Sequence, residues 1–218
     1  MRYVVLCDFD GTVVDIDTAV FVLERFADPV WKVYDEQFER GEITLEECLQ
    51  KQFSTVKVSE QETTKKLNGA VNLRRGFKEL INYCRLNGIL VVIVSAGLDF
   101  VIDYLLQQWG SQGLLGRYGP KTRITKKGIL FKFPKLLDQA SVNFKDDLVR
   151  FHKKGGDKVI YIGDGFSDYP GAKISEFAFA IKESKLAELL TKNRVMHKEL
   201  SDFDEVLLEI KRLQGLEQ

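Results

Sequence analysis

Five residues, Asp8-Phe9-Asp10-Gly11-Thr12, directly follow the apolar run Tyr3-Val4-Val5-Leu6-Cys7. On a strand, residues two apart point the same way, so Asp8 and Asp10 can face one site. An uncompensated buried ion costs several kcal/mol. Two carboxylates at the mouth of a buried strand therefore need a cation or a catalytic task. Gly11 and Thr12 suggest a sharp exit and a capped turn. Alone, the pentapeptide also fits a strand that simply ends in a polar turn.

Three further segments carry complementary groups. Val94-Ser95-Ala96-Gly97 places a hydroxyl and small residues at a strand end before a helix, an arrangement that can cradle a phosphate with backbone N–H groups. Gly163-Asp164-Gly165-Phe166-Ser167-Asp168 sets two carboxylates around a glycine-rich turn. Mg²⁺ takes oxygen ligands and keeps several waters, so a few carboxylates suffice to hold it. Lys145 opens a helix after Asn143-Phe144, where a cation opposes the helix dipole. A task facing phosphate and carboxylates would explain that placement. Lys126, Lys127, Lys132 and Lys135 compete for the role.

These groups need strands to carry them. Tyr3 to Cys7, Ile89 to Val94 and Val159 to Ile162 are short and almost wholly apolar, as strands buried on both faces are. Helical patterns cover Gly76 to Asn87, Asp99 to Trp109 and Asn143 to Lys154. The last has Leu148, Val149 and Phe151 as its expected apolar stripe. The alternation predicts an α/β doubly wound, Rossmann-like parallel sheet, in which ligands lie beyond the carboxyl ends of the strands. Between the first strand and the rest, four helices are expected: Asp17 to Phe26, Trp31 to Arg40, Thr44 to Phe53 and Ser59 to Leu67. Thr44 and Glu47 have capping-box spacing. This region reads as a small helical cap over residues 15–72, inserted into a core of residues 1–14 and 73–218. Arg123 to Phe133 reads as a small hairpin, and Phe203 begins a final amphipathic helix.

The 218 residues carry 32 basic and 32 acidic side chains, for a formal net charge of +0. Nothing in that balance predicts a nucleic-acid footprint or an electrostatic membrane anchor. The run Ile89 to Val94 is too short to span a bilayer, and the N-terminal apolar run is too short for a signal peptide. Cys7, Cys48 and Cys84 are odd in number and form no CxxC pair, so reduced thiols in the cytoplasm are expected. His152, between Phe151 and Lys153-Lys154, reads as part of a solvated face. Trp31, Tyr34 and Phe38 read as core of the helical region, and Phe21 and Phe53 are candidate cavity-lining residues.

In order and spacing, the four segments together resemble the haloacid dehalogenase superfamily, in its phosphoserine-phosphatase-like branch. That resemblance implies a phosphatase that works through an aspartyl-phosphate. Asp8 would be the nucleophile and Asp10 the general acid and base. Ser95, Ala96, Gly97 and Lys145 would hold the phosphoryl group. Asp8, the backbone carbonyl of Asp10, and Asp164 would bind Mg²⁺, with Asp168 orienting Lys145 or a metal-bound water. The partner implied is a small phosphate ester.

Phosphoserine phosphatases use a Glu and an Arg from the cap to hold the substrate's amino and carboxylate groups. The matching positions here are Asp17 and Gln52. Gln52 cannot pair bidentately with a carboxylate, which disfavours phosphoserine. The segments around Asp8 to Asp17, Phe77 to Asp103 and Lys145 to Asp164 are more similar to the 2-hydroxy-3-keto-5-methylthiopentenyl-1-phosphate phosphatases. This chain departs from them in two places. Residues 131–144 lack the cysteine-rich insertion of bacterial examples, and Gly165 stands where serine is usual. The alternatives are a phosphoserine phosphatase or a phosphotransferase on the same fold, and after them a non-catalytic phosphate-binding protein.

Overall fold

The computed structural model describes residues 2–111 and 115–215. In chain order the first elements are β1 (Tyr3–Cys7), α1 (Thr18–Phe26), α2 (Trp31–Glu39), α3 (Leu45–Phe53), α4 (Glu60–Leu67) and α5 (Phe77–Leu86). Next come β2 (Leu90–Val94), α6 (Asp99–Gln108), β3 (Gly116–Tyr118), β4 (Lys121–Thr125) and β5 (Gly128–Lys132). The remainder is α7 (Phe144–Lys154), β6 (Lys158–Gly163), α8 (Tyr169–Ala172), β7 (Phe177–Ile181), α9 (Lys185–Lys192), β8 (Lys198–Leu200) and α10 (Phe203–Gly215).

Six strands form one sheet in the order β3-β2-β1-β6-β7-β8, and every neighbouring pair is parallel. All five residues of β1 are buried. Its apolar side chains, worth about 1.5–3 kcal/mol each when fully buried, anchor the strand between β2 and β6. Val4 pairs with Leu90 on one side and Val159 on the other, and Cys7 with Ile93 and Ile162. The chain runs outward from β1 to β2 and β3 and then crosses back to β6 on the other flank of β1, so the carboxyl ends of β2, β1 and β6 meet where the strand order reverses. Asp8, Ser95 and Asp164 each follow directly from one of those ends.

The sequence identified three of the six strands. β3 and β8 are three residues long, too short to show a pattern. β7 reads Phe-Ala-Phe-Ala-Ile, with small residues where the other strands have β-branched ones. The hairpin forms as expected, with β4 and β5 antiparallel from Lys121↔Lys132 to Thr125↔Gly128.

The four helices between β1 and α5 form where the sequence places them, and three of them, α1, α3 and α4, have side-chain caps. The Thr44 side chain accepts from Glu47 N at 3.2 Å, and the Glu47 side chain accepts from Thr44 N at 2.9 Å. Asp17 accepts from Val20 N at 2.8 Å and caps α1. Such caps contribute about 1 kcal/mol each. Packing then joins the helices to the hairpin. Phe53 at the end of α3 lies 5.2 Å from Phe131, centroid to centroid, and Gln50 Oε1 accepts from Phe131 N at 3.2 Å. The two chain crossings into this region are laced together. Val14 and Leu73 form an antiparallel bridge, and Asp15 accepts from Asn72 N at 2.9 Å and Asn72 Nδ2 at 2.8 Å. Arg74 donates to the Gly11 and Thr12 carbonyls, each at 2.7 Å.

The expected apolar stripe of α7 needs correction. Phe151 is 54% exposed, whereas Lys145, Val149 and His152 form the inward row. His152 is not on a solvated face: its Nδ1 lies 2.8 Å from Asp157 Oδ2, and Arg2 closes the same carboxylate. The polar partner at the turn after α7 is what draws the ring inward. Phe21 and Phe53 do not line the cavity described below. Phe53 is fully buried against Phe131, and Phe21 lies under Arg25. Trp31 is buried in the helical region, but Phe38 reaches the core and meets Phe166 edge-on at 5.1 Å.

Candidate active site

A cavity of about 240 Å³ lies between the strand ends and α1–α3. Asp8, Asp10, Asp17, Gln52, Ser95, Ala96, Gly97, Lys145 and Asp164 all line it. Asp168, the remaining candidate, is fully buried behind it.

Asp168 explains how Lys145 is held. Its Oδ1 accepts from Lys145 Nζ at 2.6 Å and from the Tyr161 hydroxyl at 2.8 Å. Its Oδ2 accepts from the backbone N–H of Gly165 at 2.9 Å and of Asp164 at 3.2 Å. Lys145 Nζ also lies 3.0 Å from Asp8 Oδ1. Lys126, Lys127, Lys132 and Lys135 are all exposed, while Lys145 is 1% exposed. Burial alone would lower the Lys145 pKa. Asp168 and Asp8 outweigh that and raise it, so the ammonium stays charged. Asn143 sets the start of α7 by accepting from Lys145 N at 2.8 Å, and its side-chain amide donates to the Ser167 carbonyl at 3.0 Å.

Asp10 turns toward α1, where the Thr18 N–H at 2.9 Å and the Thr18 hydroxyl both donate to its Oδ1. Burial and then Asp17 raise the Asp10 pKa to about 7, against the pull of Thr18. A carboxyl in that range can both give and take a proton near neutrality. Ser95 Oγ accepts from Gly97 N at 3.0 Å, which leaves the hydroxyl hydrogen for an incoming oxygen. A Cβ on Gly97 would stand 2.3 Å from Asp10 Oδ2, so only glycine lets the two segments approach this closely. Gly11 has φ +70°, and a Cβ there would strike Asp164 Oδ2 at 2.2 Å.

Oxygen atoms of Asp8, Asp164 and Asp168 lie within 4.8 Å of one another. Lys145 sits on one oxygen of Asp8, and Thr12 donates to Asp164 Oδ1 at 2.8 Å, so each carboxylate keeps a second oxygen for a cation. Asp168 does not, because each of its oxygens already accepts twice. Burial, followed by Asp168, raises both the Asp8 and Asp164 pKa values, the latter to about 7. Crowded carboxylates of this kind ionise together only beside a positive charge. The hard oxygen donors of Asp8 and Asp164 therefore fit Mg²⁺.

A profile of haloacid dehalogenase-like hydrolases matches residues 5–173. The chain belongs to that family. It is 28% identical over 218 residues to a 2-hydroxy-3-keto-5-methylthiopentenyl-1-phosphate phosphatase of Brevibacillus brevis, covering 98% of this chain and 97% of that protein. It is 27% identical over 224 residues to the Bacillus cereus enzyme of the same name, covering 99% of each. The fold matches a phosphoserine phosphatase solved as a phospho-aspartyl intermediate analogue, with TM-score 0.70, 19% identity and coverage of 95% of this chain and 98% of that one. A substrate-bound phosphoserine phosphatase gives TM-score 0.68 at 18% identity, covering 96% and 98%. The phosphatase class implied by the sequence motifs agrees with the family and with the names of these relatives.

Several contacts at this haloacid dehalogenase-like site were not found by sequence reasoning. Thr12, Thr18 and Tyr161 each place a hydroxyl on one of its carboxylates. Asp35, Glu39 and Lys185 line its cavity. The helical spacing of Trp31, Tyr34 and Phe38, which reads as core, gave no sign of the cavity face of α2. Thr18, one residue after the α1 cap, was legible as a helix start but not as an Asp10 partner.

Proposed function

We propose that the chain is a Mg²⁺-dependent phosphomonoester hydrolase that passes through an aspartyl-phosphate on Asp8. The observation that carries this reading is the meeting of Asp8, Asp10, Ser95, Lys145 and Asp164 around one cavity at three adjacent strand ends. An oxygen of the Asp8 carboxylate attacks phosphorus, and the bond from phosphorus to the ester oxygen breaks. Asp10 gives a proton to the departing alkoxide. Asp10 then takes a proton from a water that attacks the same phosphorus, releasing phosphate and restoring Asp8. Lys145, the Ser95 hydroxyl and the backbone around Gly97 bind the phosphoryl oxygens as charge shifts during both steps. Mg²⁺, held by Asp8, Asp164 and the Asp10 carbonyl, would supply charge neutralisation between the anionic carboxylate and the anionic ester.

In this reading, residues 15–72 form a cap over a core of residues 1–14 and 73–218. The cap excludes water from the cavity when it closes. The enol phosphate named for the bacterial relatives is the leading substrate. Leu23, Leu45 and Leu49 line the cavity and suit an alkyl thioether tail, and no arginine lines it among the described residues. Gln52 is buried and within 3.4 Å of the Trp31 carbonyl and 3.5 Å of Asp35. It offers a phosphoserine carboxylate no guanidinium fork. A cytoplasmic location fits the three free, buried thiols. No helix among the described residues is long and apolar enough to cross a membrane.

The test is phosphate release from the enol phosphate, phosphoserine and other small esters, with Mg²⁺ and with chelator. Turnover should require the metal, and Asp8→Asn should abolish it while far-UV circular dichroism stays unchanged. Full activity in Asp8→Asn would end the aspartyl-phosphate reading. Transfer to added alcohols in place of phosphate release would reassign the enzyme as a transferase.

A further inference from the structure

The proposed chemistry uses Asp8, Asp10 and Asp164. Three more carboxylates line the same cavity without a part in it: Asp17, Asp35 and Glu39, all carried by the α1–α3 region. The lining cations among the described residues are two lysines. Lys145 is committed to Asp8 and Asp168. Lys185 stands 3.8 Å from Glu39 and 3.6 Å from Glu188. The acids also sense one another, since burial and then Glu39 and Asp17 raise the Asp35 pKa.

We propose that this wall is a charge filter on the ester's tail: it admits neutral and cationic tails, rejects anionic ones, and has Asp35 as its specificity-determining residue. The filter rests on the phosphatase reading above. Its physical basis is that like charges facing one another across a cavity with low-dielectric walls repel far more than exposed charges screened by salt. Selection against the wrong tail then comes from repulsion, without a matching attractive contact. Asp17 is a weaker discriminator because its carboxylate already caps α1. Glu39 is partly offset by Lys185. Among the described residues, Asp35 has only the long contact from Gln52, at 3.5 Å.

The experiment uses three esters with short tails of similar length: phosphoethanolamine, hydroxyethyl phosphate and phosphoglycolate. Their kcat/KM values are measured with Mg²⁺ for wild type and Asp35→Asn. Wild type should favour the cationic and neutral esters over phosphoglycolate by about tenfold or more, a difference of about 1.4 kcal/mol. In Asp35→Asn the gap should narrow severalfold, mainly through a lower KM for phosphoglycolate. Raising the salt concentration should narrow the wild-type gap less than the substitution does. Equal kcat/KM for the three esters, or a gap that survives in the variant, overturns the filter and leaves the phosphatase standing. Turnover of none of these esters or of the enol phosphate by wild type overturns both. Asp35→Ser replaces Asp35→Asn should the latter fail to fold.

Discussion

Asp168 accepts four hydrogen bonds, and Tyr161 supplies the one that comes from neither Lys145 nor the backbone. The phenol is fully buried, and burial and then Asp168 keep its pKa well above the usual value, so it acts as a donor. Tyr161→Phe removes that donor and keeps the ring. One hydrogen bond of about 1 kcal/mol corresponds to about fivefold in rate. We expect kcat to fall by about that factor, with KM for the ester unchanged. A lower Tm with kcat intact would make Tyr161 a packing residue only. Gly97→Ala tests the other wall. Its Cβ would need the space now held by Asp10 Oδ2, so Asp10 must turn away, and activity should fall by more than tenfold, about 1.4 kcal/mol or more. Ultraviolet circular dichroism should show the fold retained. Asp8, Asp10, Ser95, Lys145 and Asp164 were legible in the sequence because each stands at the end of a strand or the start of a helix. Tyr161 was not, because a hydroxyl within an apolar strand reads as core until its neighbour across the turn is known.

At the scale of elements, the strands buried on both faces and the capped helices were the legible part. The inward turn of His152 depends on Asp157, at the turn after its helix, and the short or alanine-bearing strands depend on partners far along the chain. The same is true of the contact between α3 and the hairpin. That contact ties the inserted helices to a segment following β3, through Gln50, Phe53 and Phe131. Gln50→Ala would leave Phe131 N without its side-chain acceptor. We expect amide exchange in residues 128–132 to speed up by about fivefold, the equivalent of about 1 kcal/mol in local opening, with little change in the β1 and β6 amides. Uniform acceleration across the molecule would show instead that the contact supports the global fold. The laced crossings at Asp15, Asn72 and Arg74 join the two segments by which the chain enters and leaves residues 15–72. Any opening therefore bends around a bonded pair of chains, with the two strands moving as one.

For the whole molecule, Asp157 offers a test of acid stability away from the cavity. Arg2 holds its pKa down, to about 2, with His152 adding to the effect and burial opposing it. A carboxylate whose folded pKa lies below its unfolded value of about 3.9 stabilises the fold above that value. The contribution is lost as pH falls toward the folded value. The Tm of wild type should therefore drop between about pH 4 and about pH 2. Asp157→Asn should lack that part of the drop and be less stable than wild type at pH 7. Parallel curves for the two proteins would place the acid sensitivity elsewhere. The central position of β1 has a consequence for how the chain is made. β1 is synthesised before its two neighbours, β2 and β6, and β6 begins only at Lys158. Asp8 thus waits through that stretch of synthesis without Lys145 or Asp164 beside it. Such distant pairing makes folding slow. On the mechanism proposed above, a partly made chain therefore holds its nucleophile without the groups it works with, and activity begins only when the second half of the sheet is in place.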